Sequence, residues 1–78
     1  MELKNLVEFL VKALVDDPDA VKIHEISGTQ SSVIEIRVAK EDVGKVIGRE
    51  GGIIAAMRTI LGGAAAKLKK RCILDIIE

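Results

Sequence analysis

The residues best suited to binding chemistry are two glycines, Gly48 and Gly51, which stand three positions apart with Arg49 and Glu50 between them. Glycine has no side chain, so the backbone can turn sharply there and a ligand can lie close against it. Amide N–H groups at the start of a helix carry partial positive charge and suit an anion such as phosphate. Arg49 adds a mobile cation, and the stretch therefore predicts a loop that binds a sugar-phosphate chain.

Two helices are expected to position this loop. Asp42 is the predicted N-cap of a short helix, which ends where Gly48 takes the left-handed conformation typical of helix ends. Gly51 and Gly52 then turn the chain sharply before a long second helix begins. The interpretation requires the loop to lie exposed between the two helices, with room for a strand of nucleotides.

The chain before the loop predicts a helix and two strands. Apolar residues recur at three- and four-residue spacings over residues 2–15, which is typical of an amphipathic helix, and Pro18 cannot continue it. Residues 21–24 and 33–39 alternate between apolar and polar side chains, as half-buried strands do. The polar segment 27–32 predicts a turn, so the two strands should form a hairpin.

After the loop, the pattern predicts a long helix to about residue 69 and a closing strand over residues 72–77. The helix carries two apolar stripes, one to pack on the sheet and one for a groove wall or a partner. Gly62 and Gly63 interrupt the helix, and we expect a kink or a close helix contact there. The order α-β-β-α-α-β predicts an α+β fold with three helices on one face of a three-stranded mixed sheet.

Length and composition predict one small domain, residues 1–78, in a reducing cytoplasm. About half of the residues are apolar (49%), which suffices for one hydrophobic core. No stretch approaches the roughly twenty apolar residues of a membrane span, and the start lacks the pattern of a signal peptide. Cys72 is the only cysteine and falls in an alternating apolar run, so it predicts a small core residue. His24 is the only histidine, and neither a metal nor another cofactor is expected.

The formal net charge is zero, but the charges are unevenly distributed. Residues 1–39 carry four Lys and Arg against seven Asp and Glu, whereas residues 40–78 carry eight against five, giving −3 and +3. The positive half holds the glycine loop, which predicts a weak, salt-sensitive contact with phosphates. Phe9 is the only aromatic residue, so folds that stack bases on several aromatic rings are excluded.

The pattern Ile-Gly-x-x-Gly-x-x-Ile over residues 47–54 resembles the signature of the KH domain, whose loop clamps about four nucleotides of a single strand. The predicted element order resembles the type II, or prokaryotic, KH fold over nearly the whole chain. Residues 42–51, 58–61 and 64–67 are similar to the small bacterial single-KH proteins of the KhpA (YlqC) family.

This resemblance implies a cytoplasmic protein that binds single-stranded RNA and has no enzymatic activity. It also implies a homodimer, or a heteromer with a second KH protein of the KhpB (Jag-related) type, acting in post-transcriptional control linked to cell elongation and division. Bases would rest on an aliphatic groove that includes the second strand. The predicted RNA-binding residues are Lys45, Ile47, Gly48, Arg49, Glu50, Gly51, Gly52 and Ile54.

The chain departs from the family pattern beside the loop. Relatives commonly carry Arg-Thr or Arg-Val after the second loop glycine, whereas this chain has Gly52 and Ile53. One cation is therefore lost and Glu50 opposes Arg49, while the added apolar surface favours protein contacts. The second stripe of the long helix predicts self-association through Ile53, Ala56, Ile60, Gly63 and Ala64.

Two functional interpretations remain open from the sequence. The first is a single-stranded RNA-binding module, and the second is a protein-interaction subunit whose own loop contributes little RNA affinity. A helix-turn-helix DNA-binding protein fits less well, because its helix pair needs neither flanking strands nor a glycine tip. The sequence has no phosphate-loop motif, no Cys/His metal set and no paired nucleophile and base, so an enzyme is not expected.

Overall fold

Three helices and three strands follow one another in the predicted α-β-β-α-α-β order in the computed structural model, which describes residues 2–78. The elements are α1 (Leu3–Leu14), β1 (Lys22–Ser27), β2 (Ser31–Arg37), α2 (Val43–Ile47), α3 (Gly52–Lys67) and β3 (Arg71–Ile76). Single turns of 3-10 helix cover Pro18–Ala20, Lys40–Asp42 and Arg49–Gly51. The predicted α+β class with a mixed sheet is confirmed.

The sheet has the strand order β1-β2-β3, with β2 in the centre. β2 runs antiparallel to β1 and parallel to β3, so Ile34 is paired with Glu25 on one side and with Leu74 on the other. The hairpin between β1 and β2 is tighter than predicted, because β2 begins at Ser31 and the Gly28 N–H donates to the Ser31 carbonyl (2.7 Å).

The core lies between one face of this sheet and the three helices. Ile34 and Ile36 of β2 are fully buried, whereas Arg37 is exposed on the opposite face, as the alternation predicted. Leu74 on β3 lies on the same inner face and is also buried. The helices close the core with the following buried residues: Leu3, Val7, Val11, Val46, Ile54, Met57, Leu61 and Ala65.

Gly62 and Gly63 do not mark a close contact within this chain, so that expectation is wrong. α3 runs through both glycines as one helix and ends at Lys67, two residues earlier than predicted. A Cβ atom added at either glycine would meet no other heavy atom within 4 Å in the described part of the chain. Packing therefore gives no reason for glycine at these two positions.

We expect Gly62→Ala to raise the free energy of unfolding by about 1 kcal/mol, because alanine loses less backbone entropy in a helix. Urea unfolding followed by circular dichroism measures the change. Ala66→Gly, at an exposed position of the same helix, is the matched converse and should lower stability by a similar amount. A Gly62→Ala variant less stable than the parent would show that the glycine has a packing role after all.

Candidate nucleic-acid interface

Gly48 joins α2 to the loop in a conformation that other residues avoid. Its N–H donates to the Gly44 carbonyl (2.9 Å) and closes α2. Its backbone angles, φ 79° and ψ 172°, lie in a region populated almost only by glycine. This differs from the left-handed helical conformation predicted from the sequence, and it directs the chain outward more abruptly.

The next three residues form a single 3-10 turn at the tip of the loop. Glu50 has left-handed angles (φ 56°, ψ 27°), and so has Gly51 (φ 74°, ψ 15°), which caps α3. Gly52 has ordinary helical angles (φ −65°, ψ −37°) and is the first residue of α3. The sharp turn therefore comes from Gly48, Glu50 and Gly51. Of the two residues predicted to make the turn, Gly51 does so and Gly52 does not.

Two adjacent N–H groups at the tip have no hydrogen-bond partner among the described residues. Gly51 donates to the Gly48 carbonyl (3.1 Å) and Gly52 donates to the Arg49 carbonyl. By contrast, the Arg49 and Glu50 N–H groups donate to no backbone carbonyl within residues 2–78. Consecutive N–H groups in such a turn form a concave site for anions, and the N-terminus of α3 adds its dipole.

The side chains at the tip are also accessible. Arg49 and Glu50 are both exposed, and from Glu2 onward neither takes part in a salt bridge. The Glu50 carboxylate was expected to offset the charge of Arg49, but the two side chains form no ion pair. Within residues 2–78, Arg49 is an unpaired cation next to the two free N–H groups, and such a combination of a cation with amide donors suits an anion.

Ile53, the second residue of α3, packs against Gly48 at the start of the loop. A Cβ atom added to Gly48 would lie 2.5 Å from Ile53 Cγ1 and 2.7 Å from its backbone N, so the two residues are in close contact. Ile53 is partly buried and packs against the core. Its prediction as a self-association residue therefore needs correction, because its side chain faces the loop and the core.

The predicted aliphatic groove does not exist in the expected form. Ile54 is only 6% exposed, and Ile34 and Ile36 of β2 are fully buried, so their side chains cannot contact bases. Of the apolar residues predicted to line the groove, Ile47 is partly exposed, and so are Val33 and Val38 of the second predicted strand. The reason is the strand order: β2 is central and covered by helices, and β3 occupies the edge beside α3.

Arg58 lies at this edge and was not among the predicted binding residues. Its Nη2 donates to the Leu74 carbonyl of β3 (3.1 Å), while the residue as a whole remains exposed. A cation is thus fixed on the side of α3 that faces the free edge of the sheet. The helical pattern could have predicted that Arg58 is exposed on α3, but the sequence gives no sign of its hydrogen bond to Leu74.

Lys45 is held by two carboxylates on the helix that leads into the loop. Its Nζ lies 3.2 Å from Asp42 Oδ1 and 3.2 Å from Asp16 Oδ2. Asp42 is buried, and its Oδ2 accepts the Asp17 N–H (3.0 Å) across 25 positions of the chain. Asp42 stands at the N-cap position of α2 as predicted, but in the described chain its side chain makes no capping hydrogen bond to that helix.

These contacts shift the ionisation of both partners. Burial alone would raise the pKa of the Asp42 carboxyl, but hydrogen bonds from the Asp17 and Asp16 N–H groups and the Lys45 ammonium outweigh it and lower the pKa. The hydrogen bonds to Asp16 and then Asp42 raise the pKa of Lys45. Both groups are therefore charged at neutral pH. Elsewhere, burial and then Glu25 raise the pKa of the Cys72 thiol, which fits its position on the inner face of β3.

The other predicted self-association residues lie along an outer face of α3. Ile60 is 53% exposed, Ala56 and Gly63 are exposed, and Ala64 is partly buried. A shallow, mainly apolar depression of about 560 Å³ follows this face. Its lining residues are Thr59, Ile60, Gly63, Ala64, Lys67 and Leu68.

The described residues hold neither a metal-binding cluster nor a membrane-spanning helix. No group of three or more His, Cys, Asp or Glu side chains in this range is arranged to hold a metal ion. No helix in the same range is both long enough and apolar enough to cross a membrane.

Comparison with known proteins gives one consistent family. A family model described as "KhpA/KhpB, KH domain" matches residues 4–76. A protein of Caldanaerobacter subterraneus subsp. tengcongensis named "RNA-binding protein KhpA" is 57% identical, over 92% of this chain and 96% of its own. Proteins of the same name from Borreliella burgdorferi and Clostridium acetobutylicum are 51% and 48% identical, over 94% and 96% of this chain and 89% and 100% of theirs. No solved structure matches the chain significantly.

Proposed function

The chain belongs to the KhpA/KhpB family of KH domains, and from that premise we propose that it binds single-stranded RNA through the loop from Gly48 to Gly51. KH domains are binding modules, and the relatives are named as RNA-binding proteins, so the chain is not an enzyme. The observation that carries the proposal is the pair of free N–H groups at Arg49 and Glu50.

In this proposal, one RNA phosphate rests on the two free N–H groups, and the Arg49 guanidinium neutralises it. Gly51 leaves the backbone open to the neighbouring sugar, since a Cβ atom there would meet no other heavy atom of the described residues within 4 Å. With Ile54 in the core, the bases lie over Ile47 and the side of α3 that faces β3, where Arg58 supplies a second cation. Few cations take part, so affinity is modest and depends on salt.

A fluorescence anisotropy titration with a labelled single-stranded RNA and its duplex tests this proposal. We expect a Kd for the single strand of about 1–100 μM, as for weak electrostatic binding. The slope of log Kobs against log salt should be about −0.7 for each phosphate contacted. The duplex should bind more weakly, because its paired bases cannot lie against the protein. Equal affinity for both forms, or no binding at 100 μM protein, would contradict the proposal.

We further propose that the protein works as a homodimer or with a KhpB-type partner in the cytoplasm, in post-transcriptional control linked to cell elongation and division. One loop grips only a few nucleotides, so a second loop in the same assembly raises affinity through effective concentration. The apolar face of α3 supports the dimer, because the exposed Ile60 and Leu68 lie together with Gly63 and Ala64 along one mainly apolar depression, and a contiguous apolar patch is typical of an interaction surface.

We expect Ile60→Asp to reduce self-association at least tenfold, because the interface would have to bury an unpaired charge. Sedimentation equilibrium at several concentrations measures the dimer dissociation constant. Ala66→Asp is the matched control, since it places the same charge on an exposed position of another face of α3. A strictly monomeric parent protein at high concentration would remove the dimer proposal.

The second candidate function is a protein-interaction subunit with little RNA affinity of its own. Two observations favour it: the mainly apolar depression on α3, and the formal net charge of zero. Substitution of the loop tip, described in the Discussion, distinguishes the two functions.

A further inference from the structure

Lys45 and Arg49 are the cations of the chain nearest to the loop in sequence, but only one of them is available. Arg49 makes no salt bridge in the part of the chain that the structure describes. Lys45 is exposed on α2, three residues before Gly48, yet its ammonium is shared by the Asp16 and Asp42 carboxylates at 3.2 Å each. Two negative charges surround one positive charge at the entrance to the loop.

The two carboxylates differ in how firmly they are held. Asp42 is buried, and the Asp17 N–H fixes one of its oxygens, so it cannot leave without breaking the contact between α2 and the turn after α1. The Asp16 side chain is 81% exposed, and within residues 2–78 Lys45 is the only cation that it contacts. An exposed ion pair of this kind is weak, so Asp16 exchanges readily with another anion.

We propose that Asp16 competes with RNA phosphate for Lys45, and so sets the RNA affinity of the loop from the turn that follows α1. The inference rests on the proposed RNA-binding function and adds to it a determinant outside the loop. When Asp16 occupies Lys45, an approaching phosphate meets a local net charge of −1. When Asp16 turns away, Lys45 and Asp42 form a neutral pair, and the remaining N–H donors of the ammonium can bind the phosphate.

The test substitutions are Asp16→Asn and Asp19→Asn in the full chain. Both remove one exposed negative charge from the same turn, but in the described residues Asp19 forms no ion pair. We expect Asp16→Asn to lower the Kd for a labelled single-stranded RNA about two- to fivefold at low salt. Its salt slope should steepen by about 0.7, which corresponds to one additional phosphate contact. Asp19→Asn should change neither quantity beyond the small long-range effect of its charge.

A second background isolates the role of Lys45. In a Lys45→Gln protein, Asp16→Asn should no longer alter the Kd, because the cation for which Asp16 competes is gone. Circular dichroism and thermal unfolding of each variant confirm that the fold is retained. Equal effects of Asp16→Asn and Asp19→Asn, or an undiminished effect in the Lys45→Gln background, would overturn the inference while leaving the proposed function intact. If neither the parent nor Asp16→Asn binds RNA, both are overturned.

Discussion

Gly48→Ala should abolish measurable RNA binding and lower the free energy of unfolding by about 2–4 kcal/mol. The added Cβ would lie 2.5 Å from Ile53 Cγ1 and 2.7 Å from the Ile53 backbone N, and the backbone atom cannot move without displacing the start of α3. Alanine also avoids a φ of 79° combined with a ψ of 172°. The loop must therefore change shape, and the arrangement of the free N–H groups at Arg49 and Glu50 is lost with it.

Gly51→Ala is the matched control for this prediction. Gly51 also has a positive φ, 74°, but along the described chain a Cβ there would meet nothing within 4 Å. Only the left-handed backbone cost of about 1–2 kcal/mol applies, and the loop keeps its shape. Urea unfolding and RNA anisotropy measure both variants. A Gly48→Ala protein no more affected than Gly51→Ala would show that contact with Ile53 does not define the loop.

A substitution of Ile53, the other residue of this contact, tests the steric explanation. Ile53→Ala in the Gly48→Ala background removes Cγ1, the nearest of the three Ile53 atoms that the new methyl group would meet, so the double variant should be less destabilised than the sum of the two single changes. Relief should be partial, since the close approaches to the Ile53 Cβ and backbone N, both at 2.7 Å, persist. Strict additivity would contradict the steric explanation.

The second large effect concerns the tip itself. Arg49→Asp combined with Glu50→Asp should weaken single-stranded RNA binding about tenfold or more, because the one free cation at the tip becomes an anion. Both side chains are exposed, so the core is untouched. Aspartate also tolerates the left-handed angles of residue 50 better than glutamate does, so stability should be unchanged.

Lys22→Glu controls for net charge, since it changes the charge by the same amount on the face of the sheet opposite the helices. RNA anisotropy, sedimentation and thermal unfolding are compared for parent, control and double variant. Unchanged RNA capture by a double variant that still folds and self-associates would favour the protein-interaction subunit. Loss of RNA binding with the fold and self-association retained supports the RNA-binding module.

The sequence predicted the elements well because each has a distinct period. The alternation around Ile34 and Ile36 identified β2 and its buried face, and the three- and four-residue spacings identified α1 and α3. Strand order is a long-range property that periodicity does not contain. The predicted groove consequently used β2, which is central, where the edge beside α3 belongs to β3.

The site was predictable only where its geometry is local. The spacing of Gly48 and Gly51 located the loop, because both glycines have positive φ. The apolar stripes could not show that Ile53 faces the loop, since an isoleucine beside a glycine-rich tip fits either a partner surface or an internal contact. The ion pairs of Lys45 could be predicted only in part from the sequence. Asp42 lies one helical turn before Lys45, but Asp16 follows the end of α1 and is brought to Lys45 only by the fold.

The parallel pairing of β2 with β3 has a consequence for when the protein becomes active during its synthesis. A parallel pair requires a crossover, and here the crossover contains α2, the loop and α3. Until β3 has emerged from the ribosome, α3 lacks the strand on which Arg58 is anchored, and β2 lacks its parallel neighbour. We therefore expect a nascent chain that ends before β3 to lack the complete fold, and the proposed RNA recognition to begin only after translation has passed this strand.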